Sequence, residues 1–187
     1  MKKITSEHTL SKLCRKRGLH HFEDLMAHVQ KLPYGRTADR SKFESVLLES
    51  KGTCSSKHAL LKKVAEENNY QDVKLILAMY RMHEANTPGI GNGPIENGLK
   101  FIPEAHCFIE VAGSRLDLTS GHADLGRIEK DILKEWSITA EDTIEKKILL
   151  HKEYIRNWIV DEQIPFTFDE IWLLREECIK NLSQVNG

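Results

Sequence analysis

At 187 residues the chain is long enough for one domain with a substantial core and short for two. Its 27 basic and 28 acidic residues leave a net charge of −1, which argues against nucleic-acid binding through bulk charge. No stretch approaches the ~20 apolar residues of a membrane span, and "MKKITSEHTLSKLC" lacks the apolar run of a signal peptide, so no membrane association and a cytoplasmic location are expected.

In chain order, the first third predicts helices. The basic cluster "CRKRG" (Cys14 to Gly18), flanked by Lys12, His20 and His21, reads as a solvated face. "FEDLMAHVQKL" places Phe22, Leu25, Met26 and Val29 at helical spacing and stops at Pro33. "LPYGR" is a turn in which Tyr34 and Arg36 are candidate substrate contacts. "SKFESVLLES", Ser41 to Ser50, predicts a second helix ended by Gly52. Thr53 is placed to N-cap a third, with Leu61, Val64 and Ala65 on one face and Asn68 and Asn69 at its close. "DVKLILAMYRM", Asp72 to Met82, predicts a buried strand. His83 to Ala105 is a long loop dense in Gly, Asn and Pro, placed to wall a site.

"HCFIEVAGSRLDLTS", His106 to Ser120, predicts a hairpin. Alternation puts Cys107, Ile109, Val111, Leu116 and Leu118 on an apolar face and His106 with Asp117 on the other. An Ala112-Gly113 turn makes Asp117 the diagonal neighbour of His106. A Gly113-Ser114 turn is better turn chemistry and moves Asp117 two residues further away, so both registers stay open. The remainder predicts helices, over Glu141 to Val160 and again after the T-x-x-E capping box from Thr167 to Glu170, with Ile171, Trp172, Leu174, Cys178 and Leu182 as core.

The helix headed by Cys54 breaks a local rule, because it puts Lys57 in a first turn where the unpaired N–H groups favour acids. Taken alone, Lys57 is expected to point into water at a cost of a few tenths of a kcal/mol. Beside a thiol it would have a use. A thiolate is favoured by a helix N-terminus, by cations and by a histidine, and that histidine needs an acceptor to fix its tautomer. His106 and Asp117 supply both. Of the four cysteines, Cys14, Cys54, Cys107 and Cys178, none has disulfide or CxxC spacing, so free thiols are expected. Two competitors exist. Cys54, His58 on the same helix face, and His106, completed by Cys107 or His83, would make a zinc set, though no second pair has zinc-site spacing. Asp124 is a rival acid outside the hairpin.

In this order, "GTCSSKHALL", "VKLILAMY", "HCFIEV" and "RLDLT" resemble the core of the transglutaminase-like superfamily, of the papain-like cysteine-hydrolase fold. Its pattern is a cysteine at a helix start, a strand of the "AxxVxGY" kind, "HAWVEV" and "DPT". The likeness spans Lys51 to about Ser120. Cys107 replaces the usual small residue after the histidine, and Leu118 stands where the family has proline. The resemblance implies Cys54 as nucleophile, His106 as base and Asp117 as orienting acid, with Tyr34, Arg36, Lys57 and His58 as possible substrate-contacting or site-lining residues. It implies an α+β domain over 1–187, its antiparallel sheet packed on the cysteine-headed helix. An N-terminal helical part (1–50), a catalytic core (51–120) and C-terminal helices (121–187) would compose it. It further implies hydrolysis or acyl transfer at a peptide or amide bond of a peptide, protein or small amide through a thioester, with no metal or organic cofactor. A catalytically inactive binding module of the same fold is the alternative.

Overall fold

In the computed structural model, which describes residues 1–185, helices Thr9–Lys16 (α1), Phe22–Lys31 (α2), Ser45–Leu48 (α3) and Cys54–Glu67 (α4) precede the first strand, Val73–Met82 (β1). The one-turn helix Gly93–Glu96 (α5) leads to strands Ile102–Val111 (β2) and Ser114–Leu116 (β3). Then come Gly126–Glu129 (α6), strand Ile132–Ile138 (β4), a 3₁₀ turn at Glu141–Thr143, and helices Lys146–Asp161 (α7) and Phe168–Val185 (α8). The strands form one antiparallel sheet in the order β3-β2-β1-β4, so the class is α+β.

The apolar, β-branched run of β1 occupies the middle of the sheet and pairs with β2 along its whole length, Val73 opposite Val111 and Met82 opposite Ile102. Its alternation feeds two cores. Val73, Leu75, Leu77 and Met79 pack with α1, α2 and α4 through Leu10, Cys14, Phe22, Leu25, Val29, Leu60, Leu61 and Val64. Tyr80 and Met82 join Ile155, Trp158, Ile171 and Cys178 of α7 and α8. The Thr167–Glu170 capping box opens α8 as expected, each residue's side chain accepting the other's backbone N–H.

The hairpin takes the Ala112-Gly113 register, with Ile109 opposite Leu116 and Val111 opposite Ser114. Both turn residues have positive φ, 49° and 84°, as a tight primed turn requires. Alanine rarely adopts this backbone, which is why the composition of the turn pointed to Gly113-Ser114.

Three expected elements change. The C-terminal part is not all helical, since β4 adds an edge strand to β1. Ile132, Trp136 and Ile138 alternate as a strand should, but Lys134 takes the remaining position of that face, its Nζ 5.1 Å from the Trp136 ring. The helix expected over Ser41 to Ser50 shrinks to α3, because Asp39 Oδ1 holds Ser41 in a turn and Ser50 has a positive φ of 54°. The long loop ends earlier, at the start of β2, and it is tied down. Glu84 accepts from the N–H groups of Gly89 (2.8 Å) and Gly91 (3.1 Å), Asn181 donates to the Ile90 carbonyl, and Ile90 and Leu99 are buried. Among the described residues no helix is long and apolar enough to cross a membrane.

Candidate active site

Helix α4 starts abruptly because Thr53 and Ser56 cap it reciprocally. The Thr53 hydroxyl accepts from Ser56 N–H (3.3 Å) and the Ser56 hydroxyl accepts from Thr53 N–H (2.9 Å). Cys54 is therefore the first helical residue. Gly52 lets the chain enter this tightly, since a Cβ there would lie 2.7 Å from Lys57 Cγ.

Lys57 does not point into water. It is fully buried behind Cys54, donating to the carbonyls of Leu32 (2.5 Å) and Thr119 (2.6 Å), and burial pulls its ammonium down to about 8. It lines neither cavity of the cleft and acts as a clamp. His58 is a second clamp. The Leu118 N–H donates to its Nε2 (2.8 Å), so Nδ1 carries the proton and donates to the Cys54 carbonyl (2.7 Å). Burial keeps this ring neutral, with its pKa lowered to about 4. With both nitrogens engaged, His58 is no zinc ligand, and His83 lies elsewhere beside Asp131 (3.3 Å) and Asn86 (3.0 Å). Asp124 spends Oδ1 on the Gly126 N–H (2.9 Å), so it does not rival Asp117.

These clamps place Asp117, just beyond β3, against His106 on β2, with Asp117 Oδ2 2.8 Å from His106 Nε2. Its other oxygen accepts the Thr119 N–H (3.0 Å). The second ring nitrogen of His106 is left free of Asp117, and the ring and the Cys54 sulfur interact strongly enough that each favours the charged form of the other. The Cys107 backbone N–H adds a smaller effect that also favours the ionised sulfur. Tyr80 packs edge-on against the His106 ring, centroids 6.3 Å apart.

The electrostatics follow. Burial alone would raise the Cys54 thiol, but the Lys147 ammonium and then the His106 ring outweigh it and bring the thiol from 9.0 down to about 6. Burial likewise opposes a charged His106, yet Asp117 and the Cys54 sulfur hold it well above the ordinary histidine value. Asp117, against burial, is held well below the usual carboxylate range by His106. Both shifts run toward a thiolate and an imidazolium. Burial sends the other thiols the opposite way, Cys14 and Cys178 to about 11, and it raises Cys107 too.

Cys54 lies between two cavities. The larger, about 450 Å³, is lined by Arg36, Ser55, Lys147, Trp172 and Arg175, and the smaller, about 200 Å³, by Asn86, Thr87, His106, Asp117 and His122. Tyr34 and Glu104 border both. The Glu104 carboxylate, only 5% exposed, is gripped at both oxygens by Arg175 (2.6 and 2.7 Å), which bonds Glu176 (2.5 Å), which in turn meets Arg36 (2.9 Å). Arg175 thereby outweighs burial and holds the Glu104 carboxyl at about 2. Arg36 is thus the outer end of a neutral ion chain along the wall. The Tyr34 hydroxyl stays protonated because burial raises its pKa.

Lys147, Ser55, Glu104 and Arg175 were not anticipated from the sequence. A signal for Lys147 existed, since "KK" at Lys146–Lys147 opens α7 and breaks the same first-turn rule that drew attention to Lys57. No local pattern marks Glu104 and Arg175, which meet across 71 residues.

No family model, curated protein or solved structure matches this chain.

Proposed function

We propose that this protein is a cysteine-dependent acyl-transfer enzyme of the transglutaminase-like, papain-like kind that hydrolyses a peptide or amide bond through a thioester. The observation that carries this is the His106–Asp117 hydrogen bond of 2.8 Å beside a sulfur at the head of a helix. The papain-like assignment is supported by the sequence resemblance together with the cysteine-headed helix against an antiparallel sheet.

In this scheme the Cys54 thiolate attacks the carbonyl carbon, forming a C–S bond as the C=O electron pair moves onto oxygen. The Cys54 backbone N–H, unpaired at the helix start, faces the developing oxyanion. Collapse restores C=O and breaks C–N while the His106 imidazolium protonates the leaving amine. Neutral His106 then takes a proton from water, which attacks the thioester, and the thiolate departs. Asp117 keeps the ring oriented and balances its charge throughout. A substrate crossing the sulfur has room on both sides, its two halves in the two cavities.

The test is acylation by p-nitrophenyl acetate, read as nitrophenolate release and as an acetyl adduct located by peptide mass. We expect the adduct on Cys54, its absence in Cys54→Ala, and formation slowed at least tenfold in His106→Ala and Asp117→Asn. Acylation as fast without His106 as with it would mark Cys54 as an ordinary thiol and end the proposal.

A further inference from the structure

In the proposed scheme the oxyanion donor is the Cys54 N–H, and the half-buried Lys147 ammonium, which lowers the thiol pKa, has no part in the later steps. Lys147 Nζ donates to Ser55 Oγ at 2.7 Å, and that same oxygen lies 3.8 Å from Cys54 Sγ. The two links hold the ammonium close to the sulfur, on the larger cavity, whose wall Lys147 shares with Cys54 and Ser55. No carboxylate lies within ion-pairing distance of Lys147 among the described residues. Its nearest acid in electrostatic influence, Glu104, is already gripped at both oxygens by Arg175. The neutral Ser55 hydroxyl positions the ammonium without quenching its charge. Among the described residues the anion left for it is the Cys54 thiolate, which disappears as the C–S bond forms. The charge then passes to the carbonyl oxygen of the tetrahedral adduct, on the same atom cluster.

Resting on the acyl-transfer function above, we propose that Lys147 is a catalytic residue whose ammonium pairs with the Cys54 thiolate before attack and stabilises the oxyanion after it. An ammonium kept in a partly buried site needs no reorganisation as the charge moves from sulfur to oxygen. The geometry also fits the helix pair, since α7 begins where α4 begins and brings Lys147 to the mouth of the other helix.

The experiment measures p-nitrophenyl acetate acylation across pH for the parent protein and for Lys147→Met, Lys147→Gln and Lys147→Arg, with circular dichroism confirming the fold of each. Rates are compared at each protein's high-pH plateau, where Cys54 is fully ionised, so that a change in thiolate population is divided out. The neutral variants are expected to acylate on the order of 100-fold more slowly at the plateau, with Lys147→Arg recovering most of the loss. If either folded neutral variant reaches the parent plateau within about threefold, Lys147 serves only to ionise the thiol or to hold Ser55, and the proposal is overturned. Parent protein that is not acylated on Cys54 at all overturns the acyl-transfer function itself, and this proposal with it.

Discussion

Alkylation by iodoacetamide as a function of pH asks whether Cys54 is ionised in the resting protein. With a pKa of about 6 against an ordinary 9.0, roughly nine-tenths of Cys54 is thiolate at pH 7, where an unperturbed thiol is about 1% ionised. Acidity also weakens the nucleophile. With a Brønsted slope of 0.4 to 0.5, a thiolate of this acidity attacks roughly 20-fold more slowly than one of ordinary basicity. The net advantage over an accessible ordinary thiol at pH 7 is therefore only about fivefold, and it grows to roughly 40-fold at pH 5.5. The acid limb separates the cases. Labelling of Cys54, read by peptide mass, should rise to a plateau near neutral pH, while Cys14, Cys107 and Cys178 stay unlabelled, since they are buried and burial raises their thiols. His106→Ala should move the inflection upward, since it removes the imidazolium from beside the sulfur. A rate that still climbs tenfold per pH unit through pH 8, or equal labelling of all four cysteines, would refute the ion pair.

Arg175→Met should cost about 3–5 kcal/mol in urea denaturation at neutral pH, because it strands the buried Glu104 carboxylate. The double variant with Glu104→Gln should recover much of that, and a double as unstable as the single would contradict it. His58 is held neutral in the fold with its pKa lowered from 6.5 to about 4, so its stabilising contribution is complete above pH 6.5 and falls away toward pH 4, by about 3 kcal/mol. His58→Gln should flatten that part of the stability profile relative to the parent, and parallel profiles for the two proteins would be the contrary result. Gly52→Ala should lower the melting temperature by several degrees, since its methyl would meet Lys57 Cγ at 2.7 Å and Ser56 Oγ at 3.0 Å. An unchanged melting temperature would show that the Lys57 stem yields freely.

The legible parts of this protein were those with local chemistry. Thr53 capping α4, the box at Thr167 and Glu170, the apolar run of β1 and the alternation of β2 all act within a few residues, where propensity and period speak directly. The His106–Asp117 pair was readable for the same reason, since one hairpin carries both, and Cys54 stood out as the head of a helix. The hairpin register was open because Ala112 takes a backbone conformation costly for alanine, which the paired strands impose. Edge strand β4 stayed hidden because half of it faces solvent and Lys134 interrupts its apolar face. The burial of Lys57 could not be read, since its partners are the carbonyls of Leu32 and Thr119, far along the chain. Glu104 and Arg175 look like any surface charges until the sheet and α8 bring them together. Shortening the loop that was expected to wall the site, by removing Pro88 to Asn97, would also strip Ile90 from the core, so stability would fall with it.

The two clamps on helix α4 have a consequence for amide exchange. Lys57 and His58 are adjacent, both buried, and both reach the segment that follows Asp117, one at the Thr119 carbonyl and one at the Leu118 N–H. The helix bearing the sulfur and the segment bearing the carboxylate cannot part locally without exposing an ammonium's carbonyl partner and a buried imidazole. Fraying of the short strand β3 therefore stops at Asp117. The Leu118 amide, whose only acceptor is an imidazole nitrogen at zero exposure, should trade its hydrogen for deuterium at the pace of global unfolding, with the interior amides of β1, although it sits in a loop.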